Sequence, residues 1–424
     1  MIGSGSMNQT LLFIAPEMLP PMQLVWIVVG VFVLGYNAWK KGFQSEFWLS
    51  LLFFVAGAAF IKYLLPQVMV EDPDTQQLQG LPIRGYGVFL LLAVVTGVML
   101  AQFRAKRLGM HPDVLLNLCF WIFGCGLFGA RLFYVIQYWD DFDSLGDIIN
   151  MTEGGLVVYG SLIGSLLAIL IYSRRHKIPV LLMMDVLAPC LMIGLSIGRI
   201  GCLMNGCCWG GVCEVNLPAI TFPEGSPPYA RQVETGELFG MKASPIDRAT
   251  SQQPREISSV VAGSVANDRE IKPGMLIENF AYSANPNDNL QPEKIIYRIR
   301  DQSSFRDIEI QQEQIPLRSI GVHPSQIYSS LNAFFVFLFL WVYFPYRRHD
   351  GQVIGLLLII YPIGRFLLEF IRADEMGQFG TGFTISQIVS LGSILLGFSL
   401  LVLGAKVMSR TETLTVDSSN PSEG

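Results

Sequence analysis

The sequence predicts an all-α membrane protein that crosses the bilayer about nine times. Of its 424 residues, 51% are hydrophobic and only 15% are charged, and the mean hydropathy is +0.44, which is far from the composition of soluble domains. Apolar windows of about 20 residues, the length that crosses a bilayer, recur along the chain. The net charge of −5 argues against nucleic acid as a partner.

Nine apolar segments are predicted as transmembrane helices, at residues 22–39, 47–65, 84–103, 114–137, 155–173, 180–198, 325–346, 352–371 and 383–404. Segments 114–137 and 180–198 contain glycines and the charged residues Arg131 and Asp185, so they also fit buried helices of a soluble protein. Residues 1–19 lack a basic region before their short apolar run, and we expect the first span to direct insertion.

The loops predict the orientation in the membrane. Lysines and arginines follow spans one, three, five, seven and nine, whereas the alternate short connections are acidic. Positive loops stay in the cytoplasm, so the N-terminus is expected outside and the C-terminus in the cytoplasm.

The connection between spans six and seven has a different composition. Residues 221–319 are rich in Pro, Ser, Gln and Asp, and the runs KIIYRIRD (294–301) and FRDIEIQQ (305–312) alternate as strands do. We expect an extracytoplasmic, partly β insert; a disordered loop is the alternative. Residues 411–424 are polar and are expected to form a disordered tail.

Three arginines and two acids fall in the apolar segments or at their ends. An arginine at the bilayer centre costs about 3 kcal/mol on insertion scales, so Arg131, Arg199 and Arg365 are expected to face the protein interior and to have a function. Glu369 lies at i+4 from Arg365, where an ion pair can form, and Asp185 is the other acid. One positive charge remains, which a phospholipid phosphate would neutralise. Alternatively, the arginines pair internally with Asp185, Glu369 and carbonyl groups.

Glycines surround Arg199 in the segment GRIGCLMNGCCWG (198–210). They predict a broken helix with exposed backbone N–H groups at the outer face, and such irregular backbone is tolerated at membrane depth only where it lines a cavity.

Several motifs resemble the prolipoprotein diacylglyceryl transferase family. GRIGCLMNGCCWG resembles the family signature GRxGNxxNGExxG. In family order, the other similar segments are LPIRGYGVFL (81–90), GARLFYV (129–135), VHPSQIYSS (322–330), YPIGRFLLEFIR (361–372) and SQIVSL (386–391). The resemblance covers residues 81 to about 405, a seven-helix core, and leaves two extra N-terminal helices. It divides the chain into 1–80, the core segments 81–210 and 321–405, the insert 211–320 and the tail 406–424.

The resemblance implies an enzyme that transfers the diacylglyceryl group of phosphatidylglycerol to the lipobox cysteine of secreted prolipoproteins. The product is a thioether, and glycerol 1-phosphate is released. The resemblance also implies a multi-pass protein of the bacterial cytoplasmic (inner) membrane, with phosphatidylglycerol and lipobox precursors as partners. We expect a monomer without a metal or another cofactor.

The resemblance also implies roles for particular residues. The catalytic candidates are Arg199, Arg365, Glu369 and Tyr159, with Glu369 orienting Arg365 or assisting proton transfer. The candidates for substrate binding are Arg199, Tyr86, Arg131, Asn205, Gly210, Tyr361 and His323. His323 is the only histidine on the outer side, and a structural cap on the start of span seven is the alternative to a catalytic role for it.

Three positions depart from the family pattern. Cys202 and Cys207 replace an Asn and a Glu of the signature, and Tyr159 in EGGLVVYGSLIG (153–164) replaces a His. A tyrosine hydroxyl is a poorer base than imidazole at neutral pH. If that base is obligatory, the enzyme is slow or inactive.

The seven cysteines leave several interpretations open. Four of them, Cys202, Cys207, Cys208 and Cys213, form the pattern C-x4-C-C-x4-C on the outer side. This pattern lacks the paired C-x2-C units of zinc sites. Structural disulfides, buried thiols and metal or redox chemistry all remain alternatives.

Other functions also remain open. A divergent paralogue could bind phospholipid and transfer little, and a membrane thiol oxidoreductase could use the outer cysteines, although the chain has no C-x-x-C motif. A transporter fits broken helices and buried arginines, but inverted repeats are not evident.

Overall fold

The structure is a computed structural model, and it describes residues 10–14, 18–41, 45–64, 70–71, 78–139, 142, 155–213, 218–243, 254–285, 288–301, 304–372, 383–407 and 411. The described chain forms two compact units. The sheet unit is drawn from Met1–Val88, Met204–Cys207 and Val212–Val322. The helical unit is drawn from Phe89–Leu203, Cys208–Gly211 and His323–Gly424.

Most of the described residues are helical. In chain order the α-helices are α1 (Leu19–Lys41), α2 (Ser45–Ala59), α3 (Gly85–Arg107), α4 (Pro112–Gln137), α5 (Val158–Arg175), α6 (Val180–Asn205), α7 (Pro227–Thr235), α8 (Val265–Asp268), α9 (Ser325–Tyr343), α10 (Gln352–Glu369) and α11 (Ile385–Val407). Thus α11 ends two residues beyond position 405, where the sequence places the end of the core. Residues 412–424 of the expected tail lie outside the described residues.

Seven helices within the described ranges are long and apolar enough to cross a membrane: α1, α3, α4, α6, α9, α10 and α11. They include α4 and α6, the two segments that also fitted a soluble core. The other two predicted spans correspond to α2, which has 15 residues and continues as a π-helix over Phe60–Leu64, and to α5, which ends on Arg174 and Arg175. Membrane crossing by α2 and α5 stays a prediction.

The sheet unit contains two antiparallel sheets. The strands, in chain order, are β1 (Thr10–Ile14), β2 (Val70–Glu71), β3 (Leu78–Arg84), β4 (Met241–Ala243), β5 (Arg255–Val260), β6 (Leu276–Asn285), β7 (Asp288–Asp301) and β8 (Ser304–Gln311). The smaller sheet has the order β1-β3-β2, and the larger is a meander in the order β4-β5-β6-β7-β8. Strands β7 and β8 contain the runs KIIYRIRD and FRDIEIQQ, apart from the last residue of the second run.

The larger sheet buries one face through residue alternation. Ile295 pairs with Ile310 and Tyr297 with Ile308 across β7 and β8, and all four side chains are buried in one core. The Tyr297 hydroxyl donates to the carbonyl of Val233 in α7, which attaches the helix to the sheet. The period of two therefore specifies which face of these strands is buried.

In the helical unit, glycines let α4 and α5 approach closely. A Cβ added at Gly160 would collide with the carbonyl oxygen of Gly129, and one at Gly164 would collide with that of Cys125. Small residues four apart are a common packing surface for membrane helices, since they bring the backbones together.

A buried cluster lies where α9 gives way to α10. The guanidinium groups of Arg104 and Arg347 lie 4.2 and 4.3 Å from the centre of the Phe344 ring. Asp350 accepts from the hydroxyl of Thr411 at 2.6 Å, and Arg347 donates to the Thr411 carbonyl at 2.8 Å. These contacts connect residue 411 to the beginning of α10.

Candidate active site

A cavity of about 240 Å³ lies between α6 and α9 in the helical unit. Three residues of α6 and four of α9 form its wall: Arg199, Ile200, Leu203, Gln326, Ile327, Ser330 and Leu331. Arg199 is the charged residue of this wall, and most of the others are aliphatic. The cavity therefore suits a ligand with an anionic head and apolar chains.

Two serines join α6 to α9 beside this cavity. The Ser196 hydroxyl donates to the Ser330 carbonyl at 3.0 Å, and the Ser330 hydroxyl donates to the Ser196 carbonyl at 2.8 Å. Ser196 lies three residues before Arg199, on the same face of the helix. These reciprocal bonds fix the α9 wall relative to the helix that carries Arg199.

The Arg199 guanidinium has no hydrogen-bond or ion-pair partner in the parts of the chain that the structure describes. Asp185, the acid of the same helix, accepts instead from the backbone N–H groups of Gly351 and Ile354, both at 2.8 Å, and so caps the start of α10. Arg199 is 14 residues further along α6, or about 21 Å at 1.5 Å per residue. The alternative in which Asp185 neutralises Arg199 is therefore wrong.

Arg365, by contrast, has both an ion-pair partner and a hydrogen-bond partner. Its Nη1 lies 2.5 Å from Oε2 of Glu369, and the two side chains are only 13% and 1% exposed. Its Nη2 donates to Oγ of Ser386 at 3.0 Å, and the Thr384 hydroxyl donates to Oε1 of Glu369 at 3.1 Å. The ion pair that the i+4 spacing predicts is thus present. Each of its two members is also hydrogen-bonded to a residue at the start of α11.

The glycine segment after Arg199 differs from the expected broken helix. Helix α6 continues through Gly198 and Gly201 as far as Asn205, because a membrane helix tolerates glycine where no water competes for its backbone. The N–H of Gly210 donates to the carbonyl of His323 at 3.0 Å, and that of Gly211 to Ile371 at 2.9 Å. These two donors are used within the protein, so the prediction of exposed donors is wrong for them.

Gly210 is required by this close packing. A Cβ at position 210 would lie 2.6 Å from the Cβ of His323 and 2.9 Å from its carbonyl oxygen. The N–H of His323 also donates to the Gly211 carbonyl at 2.9 Å. Three motifs that are distant in sequence, at 198–210, 322–330 and 361–372, therefore meet through their backbones.

The sequence model of the prolipoprotein diacylglyceryl transferase family matches residues 73–403. This chain belongs to that family. The resemblance inferred from the motifs is confirmed, and the chain is a multi-pass membrane protein. The family match includes every helix from α3 to α11 except the last few residues of α11.

Curated relatives carry the name phosphatidylglycerol–prolipoprotein diacylglyceryl transferase. One from Rhodopirellula baltica is 33% identical over 94% of this chain and 89% of its own length. One from Clostridium tetani is 24% identical over 77% of this chain and 94% of its own length. One from Listeria welshimeri is 38% identical over 32% of this chain and 49% of its own length.

The Rhodopirellula baltica relative also bears on the N-terminal segment. The alignment leaves out 6% of 424 residues, or about 25, whereas 72 residues precede the family match. The alignment must therefore include part of the segment that contains α1 and α2. Part of this segment is therefore similar in sequence to that relative.

Two further candidate residues lie on α4 and α5. Arg131 is only 7% exposed, and its Nη1 donates to the carbonyl of Gly155 at 3.1 Å, so it holds the segment before α5. Tyr159 lies in the first turn of α5, and 44% of its surface is exposed. The structure thus gives Arg131 a bond to backbone and leaves Tyr159 accessible.

His323 and Tyr361 occupy different surroundings in the helical unit. His323 is half-buried, and its Nδ1 has no hydrogen-bond partner among the described residues. Helix α9 begins after it without a side-chain cap, so a capping role for this imidazole is wrong. Tyr361 packs against the apolar core of the unit.

Tyr86 and Asn205 belong to the sheet unit. Tyr86 lies in the first turn of α3 and is 40% exposed, and Asn205 is the last residue of α6.

The seven cysteines, all in described segments, form no disulfide in the structure.

Sequence reasoning missed the polar residues that support the two arginines. Ser196 and Ser330 meet only because α6 packs on α9, and no spacing along the chain indicates that pairing. The sequence T-I-S-Q at 384–387 is different, since it fits the capping-box pattern of a helix start. That pattern could have placed Thr384 at the N-terminus of α11, although not next to Glu369.

Proposed function

We propose that this chain transfers the diacylglyceryl group of phosphatidylglycerol to the thiol of a lipobox cysteine in a secreted precursor, the first step of lipoprotein maturation. A C–S bond forms at a glyceryl carbon, the C–O bond to the phosphate breaks, and glycerol 1-phosphate leaves. One observation carries the proposal. Arg199 is a cation without a partner in the described chain, and it lies in an apolar cavity of a member of this family.

Arg199 is assigned to the phosphate of the lipid. A guanidinium can bind two phosphate oxygens at once, and apolar walls reduce the screening of this attraction by water. Negative charge increases on the departing phosphate oxygen while the C–O bond breaks. A cation already in place stabilises that charge in the transition state.

Arg365 and Glu369 are assigned to the activation of the attacking thiol. The attacking thiol must lose its proton, because the thiolate is the nucleophile. Glu369 can receive that proton or keep Arg365 oriented, and Tyr159 is the proposed additional catalytic residue. Tyr86, Arg131, Asn205, Gly210, Tyr361 and His323 are proposed to contribute to substrate binding.

The topology is part of the same proposal. The N-terminus lies outside and the C-terminus in the cytoplasm of a bacterial inner membrane. Nine helices cross it, and insert 211–320 is extracytoplasmic, on the side where secreted precursors emerge. The N-terminal segment 1–80, core segments 81–210 and 321–405 and tail 406–424 complete the chain, which we expect to act as a monomer.

The decisive experiment is expression in cells depleted of their own transferase, followed by mass spectrometry of a lipobox precursor. The wild-type chain is expected to add a thioether-linked diacylglyceryl group, and Arg199→Ala is expected to abolish it. Arg298→Ala is the matched control, because Arg298 lies on β7 with its side chain 58% exposed, and it should retain activity.

The same assay tests the alternatives. Cys207→Ser should retain transfer, and its loss would favour thiol chemistry by the outer cysteines. Transfer that survives both Arg199→Ala and Arg365→Ala would contradict the proposal. A wild-type chain that binds phosphatidylglycerol but transfers none would indicate the divergent paralogue. The departures from the family pattern at Tyr159, Cys202 and Cys207 would then account for the missing activity.

A further inference from the structure

Helix α11 begins with a closed capping box. The N–H of Gln387 donates to Oγ1 of Thr384 at 3.3 Å, and the N–H of Thr384 donates to Oε1 of Gln387 at 3.0 Å. Both side chains are buried. Such a box satisfies backbone donors that a helix start otherwise leaves without partners.

The Thr384 hydroxyl makes one bond beyond those of an ordinary capping box. It accepts from the Gln387 N–H and donates its own proton to Oε1 of Glu369 at 3.1 Å. Because a hydroxyl has a single proton, both bonds together fix its orientation. The cap of α11 is thereby attached to the carboxylate at the end of α10.

Ser386 completes the connection from the other side. Its Oγ accepts from Nη2 of Arg365 at 3.0 Å, while Nη1 of the same guanidinium faces Oε2 of Glu369. Arg365, Glu369, Thr384 and Ser386 therefore form a ring that starts and ends on the first turn of α11. Each oxygen of Glu369 has its own partner, and so does each terminal nitrogen of Arg365.

We propose that Thr384 and Ser386 are positioning residues for the transfer reaction. They hold the Arg365–Glu369 pair in one geometry, so that its charges need not reorganise when the thiol attacks. Neither residue is assigned a contact with substrate. This inference rests on the proposed function, because it assigns Arg365 and Glu369 a part in that reaction.

The test compares kcat and KM for phosphatidylglycerol in purified full-length variants. Thr384→Val and Ser386→Ala are each expected to lower kcat about tenfold, the effect of losing one hydrogen bond to a charged group. KM should be unchanged, since Arg199 still binds the phosphate. Thr384→Ser, which restores the hydroxyl, should recover kcat to within about twofold.

Two controls separate positioning from folding. Gln387→Ala removes the other half of the capping box and should lower Tm while kcat stays within about twofold of the wild type. Ser393→Ala removes a serine of the same helix whose hydroxyl donates to the Val389 carbonyl one turn earlier, and it should change neither quantity.

The outcomes separate this inference from the proposed function. An active wild type whose Thr384→Val variant keeps its kcat overturns the inference alone. A Thr384→Ser variant as slow as Thr384→Val, or a Gln387→Ala variant that loses kcat equally, also overturns it, because the role would then be purely structural. A wild-type chain without transfer overturns both.

Discussion

Arg199 and Arg365 are the same residue type in two apolar helices, yet their surroundings are opposite. Arg365 has a carboxylate 2.5 Å away and a serine behind it, whereas Arg199 faces a cavity and has no partner in the described chain. A buried charge that has its counter-ion is part of the protein's own structure. A charge at membrane depth that lacks one is stabilised when an anion binds, and this difference separates a binding residue from a pre-organised pair.

Arg199→Leu should separate function from stability most clearly. We expect transfer to fall at least about a hundredfold, the effect of removing one preorganised donor from a transition state. We expect Tm to stay equal or to rise, because Arg199 forms no ion pair with any residue that the structure describes. The measurements are the transfer rate and thermal unfolding in detergent. A large loss of Tm would mean that Arg199 has a structural partner and would remove the contrast.

Glu369→Gln should have the opposite signature. Removing one charge of a buried pair leaves the other uncompensated, which costs about 3–5 kcal/mol, so we expect a large fall in Tm together with loss of transfer. Glu309→Gln is the matched control, since Glu309 pairs with Lys294 at 3.0 Å on the sheet surface. Equal unfolding temperatures for Glu369→Gln and the wild type would contradict the assignment of a buried pair.

Gly210→Ala tests the backbone contacts that Gly210 and Gly211 make with His323 and Ile371. The added methyl group would meet His323 at 2.6 Å, and such overpacking costs about 1–3 kcal/mol. Gly198→Ala is the control on α6, because a Cβ there meets nothing within 4 Å. We expect Tm to fall for the first variant and to hold or rise slightly for the second. Similar behaviour of the two would show that Gly210 is not tightly packed.

The smallest effect should come from the exposed pair of Arg298 and Asp307 on the sheet surface. A hydrogen bond from Arg298 holds the pKa of Asp307 below its ordinary value of 3.8. The stability that this pair contributes is therefore present above pH 3.8 and is lost as the pH falls through the lowered pKa. Asp307→Asn should lower Tm slightly at neutral pH, and this difference should vanish in acid. A difference that persists in acid would contradict an electrostatic origin.

Much of the helical framework could be predicted from the sequence. Hydropathy located the helices because a membrane span needs an apolar run of defined length, and the i+4 spacing indicated the ion pair of Arg365 and Glu369. Alternating residues at 294–301 marked the inward face of β7. Each of these features depends on residues that are close together in the chain.

The contacts that distinguish the two arginines could not be predicted in this way. The serine pair at 196 and 330 and the bond between Thr384 and Glu369 join residues whose approach depends on tertiary packing. The glycines after Arg199 were misleading, since glycine breaks helices in water more readily than in an apolar environment. Whether Gly198 ends a helix was therefore decided by surroundings that composition does not specify.

The hydrogen bond between Asp185 and Gly351 joins the second turn of α6 to the residue that precedes α10. Residue 199 is 14 positions after residue 185, and residue 365 is 14 positions after residue 351. At 1.5 Å per residue, each arginine lies about 21 Å along its own helix from this hydrogen bond. The number of residues between the hydrogen bond and each arginine sets how far along its helix that arginine lies. Inserting one residue into either segment would shift one arginine by about 1.5 Å and turn it by about 100° relative to the other, although neither side chain would have been changed.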